Sequence, residues 1–151
     1  MKMAYEFELV LDDDDNIWEL PTPATQLSAG YDLRCYCPNT DALYVEINPG
    51  ETVVLRTNVK VKIPPFGIGM VVSRSGQVIR KGLMVANAPG IIDADYNGEI
   101  CVIMHNISKE PQRAFHGERI AQIVFVMNDN ISTRDGELPE RTGGFGSTGV
   151  S

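Results

Sequence analysis

The sequence predicts an all-β domain. Short apolar segments rich in β-branched residues recur along the chain, and prolines and glycines stand between them. The segment 43–63 is the clearest case, since its valines and isoleucines favour extended backbone. Asn48-Pro-Gly-Glu51 has its proline and glycine in the order of a turn. Two strands joined by that turn are therefore expected in this segment.

The other elements are assigned in order from the same patterns. Pro21 and Pro23 exclude a helix from 17–27, which should be extended or loop. The run Asp12–Asp15 is expected to be a solvated turn, because it lacks the spacing of a calcium loop. Cys35 and Cys37 fit reduced, buried strand positions. Further strands are predicted at 5–11, 66–72, 99–106 and 118–127, a single helical turn at 77–81, and a segment 83–86 that leads into a hairpin.

Composition limits the function classes. A chain of 151 residues with 43% hydrophobic residues predicts one globular domain. It has no basic-then-apolar leader and no run of about 20 apolar residues, so we expect a soluble protein without a membrane partner. The expected compartment is the cytoplasm, the host cytoplasm for a viral source, with the nucleus also open for a eukaryotic one. The net charge of −7 argues against a duplex nucleic-acid partner, but not against a small anion.

The segment 85–100 is the centre of the functional interpretation. Pro89 and Gly90 should turn the chain back as a hairpin, and Asp93 and Asp95 would share a face if the following piece is extended. Unpaired main-chain groups at the bend could bind a flat polar ligand, and a nearby carboxylate could take a proton from water. An ordinary hairpin with solvated aspartates is the alternative.

Three further segments carry polar groups in apolar surroundings. Asp32 lies within an apolar strand and needs an arginine, backbone N–H groups or water on a metal as a partner. Ser73-Arg-Ser-Gly76 follows a strand and could present hydroxyls, a guanidinium and N–H groups to phosphate. Gln122 must find partners or a ligand for its amide. His105 and His116 lack catalytic neighbours and are interpreted as surface or capping residues.

The C-terminal segment combines glycines, hydroxyls and an arginine around one aromatic ring, Phe145. This composition fits a flap that binds phosphate and lays the ring over a flat base. A disordered tail is the alternative.

Five segments together resemble the ordered motifs of the trimeric dUTPase family (deoxyuridine triphosphate nucleotidohydrolases). They are Ala29-Gly-Tyr-Asp-Leu33, Arg74-Ser-Gly76, Gly90-Ile-Ile-Asp-Ala-Asp-Tyr-Asn-Gly98, Gly117-Glu-Arg-Ile-Ala-Gln122 and Gly143-Gly-Phe-Gly-Ser-Thr-Gly149. Ser73 and Gln77 stand where the family commonly has proline and leucine, and we expect both to alter local packing only. The tail is one residue shorter than usual between Arg141 and Phe145.

The resemblance implies a distorted β jelly-roll over residues 1–127 and a C-terminal arm over 128–151. It implies a homotrimer with arm exchange, in which the arm closes a neighbouring subunit's active site. The implied activity is hydrolysis of dUTP to dUMP and pyrophosphate, which limits uracil incorporation into DNA and supplies dUMP for dTMP synthesis.

The resemblance also implies a role for each site residue. Uracil would bind between Asn87 and Tyr96, including Gly90 and Ile92, with Tyr96 beneath the deoxyribose. Asp93 would activate the attacking water. The phosphates would be bound by Arg74, Ser75, Gly76 and Gln122, and by the tail residues Arg141, Gly146, Ser147 and Thr148, with Phe145 stacked on uracil. Asp32 would reach, through water, a Mg²⁺ that the substrate phosphates mainly hold.

Two alternatives remain. The related dCTP deaminases share the fold, and ammonia release from dCTP would distinguish them. A nucleotide-binding regulatory protein that uses the pocket as a switch would bind dUTP without releasing pyrophosphate.

Overall fold

The computed structural model describes residues 5–11, 18–127 and 142–146. These residues form a nearly all-β structure with one short helix, which confirms the predicted fold class. Its elements are β1 Glu6–Leu9, β2 Tyr31–Arg34, β3 Tyr44–Ile47, β4 Thr52–Arg56, β5 Val59–Lys62, β6 Gly67–Ser73, α1 Ser75–Lys81, β7 Leu83–Val85, β8 Gly90–Ile92, β9 Cys101–Asn106, β10 Gln112–Phe115 and β11 Arg119–Met127.

Strands that follow one another in the chain mostly pair with distant partners, as in a jelly roll. The largest sheet has the order β2-β11-β6-β8, and a second has the order β4-β9-β7. Two antiparallel pairs, β1-β5 and β10-β3, complete the described sheets. The four-stranded sheet matters for function, because it places the segments around Asp32, Gln122, Ser73 and Gly90 on neighbouring strands.

A single apolar cluster holds the sheets together. Its fully buried members come from nearly every strand and include Leu33, Leu55, Leu83, Val102 and Ile123. Alternation along β9 is strict, with every second side chain buried, as expected for a strand with one face on the core. The predicted core positions of Cys35 and Cys37 are confirmed: both thiols are free and buried, with their sulfurs 3.9 Å apart.

The segment 43–63 corrects one prediction, because it contains three strands and not two. The predicted turn is present, with the Glu51 N–H donating to the Asn48 carbonyl. The extra break falls at Asn58, whose φ of 58° ends β4 and starts β5. The buried Asn58 amide exchanges hydrogen bonds with the main chain of Leu11, so long-range contacts stabilise this left-handed conformation.

The predicted hairpin is also corrected. β7 pairs with β9 and β8 pairs with β6, so the bend between them passes the chain from one sheet to another. Beyond β8 the backbone turns at once, and the Tyr96 N–H donates to the Asp93 carbonyl at 3.1 Å. The segment from Asp93 to Asp95 is therefore a turn and not an extended strand, so the condition under which the two aspartates would share a face is not met.

The helix α1 is longer than the single turn predicted. Gly82 ends it with a left-handed φ of 66° and donates to the Val78 carbonyl. Within the described ranges no helix has the length and apolarity needed to cross a bilayer. The run Asp12–Asp15 and most of the arm lie outside the described residues, so those two expectations stay predictions.

Candidate active site

A cavity of about 300 Å³ opens beside β8. Its walls come from the bend before β8, the turn after it, the start of β9 and the described tail. The lining residues are Val71, Asn87, Gly90, Ile91, Ile92, Asp93, Tyr96, Glu99, Cys101, Ile103, Gly144, Phe145 and Gly146. Every described residue predicted to contact uracil or the attacking water is in this set.

The bend gives the cavity a polar wall. Asn87 is exposed and Gly90 is buried. A Cβ on Gly90 would lie only 3.1 Å from the Asn87 amide nitrogen, so glycine leaves room for that side chain. The exposed Asp93 follows at the end of β8, on the rim of the same cavity.

Tyr96 is fixed in place by the residues that follow it. Its hydroxyl donates to the Glu99 carbonyl at 2.7 Å. A Cβ on Gly98 would lie 2.6 Å from that hydroxyl and 2.7 Å from the Thr142 carbonyl, so only glycine lets the ring and the tail approach together. The tail then continues along the ring, with Gly144 close to its edge.

The described tail residues cover the cavity of their own chain. Phe145 and Gly146 both line it with positive φ, and the Phe145 side chain is 71% exposed. Three predicted tail residues, Arg141, Ser147 and Thr148, lie outside the described residues. The proposed exchange of the arm between subunits stays a prediction.

A second group of predicted residues surrounds Asp32. Its carboxylate, 11% exposed, pairs with Arg74 at 2.9 Å and with Arg119 at 3.4 Å. The predicted arginine partners of Asp32 are therefore present, and its role toward water on a metal stays a prediction. Sequence reasoning gave no role to Arg119, although it lies within one of the quoted segments.

Gln122 lies directly beside Asp32, as its register partner across β2 and β11. Its amide donates to the Ser73 carbonyl at 3.1 Å, which ties β11 to the end of β6. A Cβ on Gly30 would overlap the Gln122 side-chain oxygen, so the small residue before β2 makes space for this amide.

The Arg74-Ser-Gly76 segment forms the start of α1. Arg74 is the N-cap residue, and its carbonyl accepts from the N–H groups of Gln77 and Val78. Ser75 is exposed. A Cβ on Gly76 would come within 2.6 Å of the Arg80 guanidinium, so glycine lets this side chain lie close to the first turn.

Below α1 lies a polar cluster that the sequence did not reveal. The buried Gln77 donates to Glu118 and to the Arg119 carbonyl, and Lys81 pairs with Glu118. Burial raises the pKa of Glu118, but hydrogen bonds from Lys81, the Phe115 N–H and Gln77 outweigh it and leave this pKa below its usual value. The spacing of Gln77 and Lys81, four apart on a helix, was the available signal.

The two residues that depart from the family pattern, Ser73 and Gln77, both make hydrogen bonds within the fold. Gln77 belongs to the cluster just described. The Ser73 hydroxyl accepts from the Val85 N–H at 2.9 Å and so joins β6 to β7.

The structure keeps the two groups of predicted residues apart. Asp32, Arg74, Ser75, Gly76 and Gln122 do not line the cavity beside β8. Asp32 and Arg119 instead line a separate polar pocket of about 170 Å³, together with Arg34. We call Asp32, Arg74, Ser75, Gly76, Arg119 and Gln122 the basic cluster, and none of them lines the cavity beside β8.

The charged groups also indicate what metal chemistry the chain can support. Among the described residues no cluster of three or more His, Cys, Asp or Glu side chains could hold a metal. Both oxygens of the Asp32 carboxylate already accept from arginines. The described side chains alone therefore do not form an inner-shell site for a divalent cation.

Comparison with known proteins agrees with this geometry. The sequence profile described as dUTPase matches residues 16–149. The chain belongs to the dUTPase family.

Individual relatives support the same family assignment. The chain is 39% identical over 141 residues to the deoxyuridine 5'-triphosphate nucleotidohydrolase of Rickettsia bellii (strain OSU 85-389), with 91% of each protein covered. It is 40% identical over 139 residues to the enzyme of the same name from Methylocella silvestris, with 88% of this chain and 86% of that protein covered.

Solved structures of dUTPases share the fold. The dUTPase from Streptococcus mutans superposes with a TM-score of 0.71 at 31% identity, covering 86% of this chain and 98% of that one. The native EIAV dUTPase gives a TM-score of 0.67 at 25% identity, covering 89% and 97%.

Six lining residues had no site role predicted from the sequence: Val71, Ile91, Glu99, Cys101, Ile103 and Gly144. Of these, Glu99 lies just before β9 and Cys101 is its first residue. Burial, and next the charge of Glu99, raises the pKa of the Cys101 thiol to about 11. Cys101 is therefore a neutral thiol at pH 7, and it lines the cavity as a small, weakly polar side chain.

Proposed function

We propose that this protein hydrolyses dUTP to dUMP and pyrophosphate. The observation that carries the proposal is the cavity beside β8, which joins Asn87, Asp93, Tyr96 and Phe145 in one concave surface. Asn87, Asp93 and Tyr96 come from the segment 85–100, and Phe145 joins them from the C-terminal tail.

The base is proposed to bind against the bend at 87–90. Main-chain groups there and the Asn87 amide offer both donors and acceptors, as the pairing edge of uracil requires. Ile92 lies beside them in the same cavity wall. Tyr96 packs beneath the sugar, and a ring held at this position leaves no room for a 2′-hydroxyl.

Asp93 is proposed to hold the attacking water and accept its proton as the water attacks the α-phosphorus. The proposal is supported by the position of Asp93, which is exposed and lines the same cavity as the bend at 87–90. The bond from the α-phosphorus to the bridging oxygen then breaks, and pyrophosphate leaves.

The basic cluster is proposed to bind the phosphates. Arg74, Ser75, Gly76 and Gln122 supply a guanidinium, a hydroxyl, a main-chain N–H and an amide. Because the cluster and the cavity lie on different walls of one chain, we propose that a complete site needs a second copy in a homotrimer. The Arg74 of one chain would then meet the Asp93 of another.

Mg²⁺ is the proposed cofactor, and it would neutralise the triphosphate and so stabilise charge that develops during hydrolysis. Asp32 would face its water ligands once nucleotide phosphate has drawn Arg74 away. An acidic protein could bind a polyanion in this way, since arginines and the metal reverse the local potential.

The tail is proposed to close the site. Phe145 would stack on uracil, while Arg141, Gly146, Ser147 and Thr148 contact the γ-phosphate. Closure excludes bulk water from the reacting phosphate. In the cell this activity would limit uracil incorporation into DNA and supply dUMP for dTMP synthesis, in a cytoplasmic protein.

The test is pyrophosphate release from dUTP, dCTP, dTTP and UTP, with and without Mg²⁺. We expect turnover of dUTP alone, and only with the metal. Equal turnover of UTP or dTTP would refute the proposed pocket. Ammonia release from dCTP would indicate a deaminase, and tight dUTP binding without pyrophosphate would indicate a regulatory protein.

The role of Asp93 is tested by Asp93→Asn. The amide keeps the shape of the side chain but cannot accept the proton, so we expect a loss of kcat of about 100-fold or more, with nearly unchanged dUTP affinity. A near-normal kcat would remove the base role from Asp93.

A further inference from the structure

We propose that the Arg56–Glu99 ion pair sets the sugar specificity of the cavity by fixing the position of the Tyr96 ring. Neither residue belongs to the segments that carry the family resemblance. The inference rests on the proposed function, because it assigns a positioning role within the proposed nucleotide site.

Glu99 connects Tyr96 to the body of the protein. Its carbonyl accepts the Tyr96 hydroxyl at 2.7 Å, so the position of the Glu99 peptide determines where the ring lies. Its carboxylate is held at both oxygens: one accepts from the Asn58 N–H at 2.8 Å, and the other from Arg56 Nε at 3.0 Å. The carboxylate is only 16% exposed.

Arg56 is itself held in place from two sides. It is the last residue of β4 and the register partner of Cys101, the first residue of β9. Glu99 lies two residues before Cys101, so the ion pair joins the end of β4 to the segment that leads into β9. Its guanidinium also lies over the ring of the buried Tyr36, at 5.2 Å from the centroid. The hydrogen bond to Glu99 raises the pKa of Arg56, so the cation is present at every relevant pH.

The surroundings of Tyr96 make its position sensitive to this anchor. A Cβ on Gly98 would lie 2.6 Å from the phenol oxygen, so the ring packs directly on the main chain of this segment. The Glu99 carbonyl is one of the groups that position the phenol hydroxyl. A displacement of the Glu99 peptide therefore shifts the ring, and the space beneath the sugar changes with it.

Charge gives the pair a second effect. Glu99 lines a cavity proposed to receive a nucleotide triphosphate. Arg56 neutralises this carboxylate and holds it against β4, away from the ligand. Without Arg56 the partly buried carboxylate would keep the Asn58 N–H but lose its cationic partner, which favours its movement toward solvent through the cavity.

The test compares dUTP with UTP in Arg56→Met. We expect the ratio of kcat/KM for dUTP to kcat/KM for UTP to fall by about tenfold or more, because the ring no longer excludes the 2′-hydroxyl. Arg56→Lys keeps the charge and should restore part of the ratio.

Arg113→Met is the matched control. Arg113 pairs with Glu46 at 3.3 Å and lies over the Tyr44 ring at 4.4 Å, so it has the same kinds of contacts away from the cavity. The control should leave the dUTP to UTP ratio unchanged, even if its midpoint of thermal unfolding falls.

Tyr96→Phe provides a second, independent variant. It removes only the hydroxyl that binds Glu99, and it should lower the ratio to a similar extent. In the double variant with Arg56→Met the two effects should not add, because both act through one contact.

The outcomes separate this inference from the proposed function. A wild-type protein that does not hydrolyse dUTP overturns the function itself. If the wild type rejects UTP, a ratio that is unchanged in both Arg56→Met and Tyr96→Phe overturns the positioning role. Parallel loss of dUTP and UTP turnover, with a constant ratio, overturns it as well.

Discussion

Asp32 shows how single residues prepare this chain for an anionic ligand. Two arginines bind its carboxylate, which is nearly buried. Arg74 also belongs to the proposed phosphate-binding segment, so a nucleotide would compete with Asp32 for its guanidinium. Arg119 can then remain with Asp32 and compensate its charge while Arg74 moves. We infer that Arg119 assists binding without contacting the ligand.

Arg119→Gln should therefore weaken Mg-dUTP binding. Without Arg119, release of Arg74 leaves Asp32 uncompensated, and we expect KM to rise by about fivefold to tenfold while kcat changes little. The control is Lys60→Gln, which breaks the surface pair of Lys60 with Glu8, two residues that line neither pocket. Steady-state kinetics in the Asp32→Asn background completes the test. A full Arg119→Gln effect in that background would contradict the coupling.

Protonation of Glu118 at low pH is expected to lower the free energy of unfolding. Burial raises the pKa of Glu118, but the hydrogen bonds from Lys81, the Phe115 N–H and Gln77 lower the pKa by a larger amount. The folded pKa therefore lies below the unfolded one. The stabilisation is therefore present above the unfolded pKa and is lost as the pH falls through the folded pKa.

We expect Glu118→Gln to lower the free energy of unfolding by about 1–3 kcal/mol at pH 7, since it replaces a charged hydrogen-bond acceptor. The difference from the wild type should shrink as the pH falls below 4. Denaturant unfolding at several pH values measures it, with Glu46→Gln as the control for an exposed Glu–Arg pair. A difference that does not change with pH would contradict the assignment.

The sequence identified some polar residues of the site but not the residues with which they pair. Asp32 and Gln122 were selected because a polar side chain in an apolar strand needs a partner. Their partners were not predictable: Arg119 lies 87 positions from Asp32, and the Ser73 carbonyl lies 49 positions from Gln122. Hydropathy patterns contain no information about such pairings.

At the level of elements, strands were predicted where side chains alternate, as in β1, or where a short apolar run is bounded by turn residues. β6, β9 and β11 are cases of the second kind. The sheet to which each strand belongs was not predictable, because it depends on pairing between distant segments. The bend at 87–90 was therefore expected to be a hairpin, although it connects two sheets.

Gly98 makes the tail and the Tyr96 segment one functional element. A Cβ at this position would meet the Tyr96 hydroxyl and the Thr142 carbonyl. We expect Gly98→Ala to reduce kcat for dUTP by about tenfold or more, because the tail can no longer lie against the ring. Thermal unfolding should change little, since Gly98 is outside the apolar core.

Deletion of residues 142–151 provides the comparison for Gly98→Ala. The deletion alone should reduce kcat strongly, and adding Gly98→Ala to it should cause little further loss, since the contact is already gone. If the two losses multiply, Gly98 acts through the Tyr96 ring alone.

At the scale of the whole molecule, the separation of cavity and basic cluster is the main consequence of the fold. Both originate from the β2-β11-β6-β8 sheet: β8 contributes to the cavity, and β2 and β11 contribute to the cluster. A triphosphate nucleotide bound by both groups must therefore bridge two surfaces. Assembly of copies around a symmetry axis would bring the cavity of one chain to the cluster of the next.

Mixing two inactive variants tests this arrangement. Asp93→Asn disables the proposed base, and Arg74→Gln disables the proposed phosphate-binding cluster. If each site combines Asp93 of one chain with Arg74 of another, equal mixing in random trimers should leave roughly a quarter of the sites with both native residues. Joint unfolding and refolding, followed by a pyrophosphate assay and light scattering, would measure recovery and assembly.

Three controls separate shared sites from other causes of recovery. Each variant refolded alone should stay inactive. A mixture of the two preformed variant trimers that were never unfolded together should stay inactive as well. A double variant carrying both substitutions in one chain, refolded with itself, has no native pair to contribute. Trimers that form in the mixed sample but release no pyrophosphate would contradict the shared site, because both residues would then be needed within one chain.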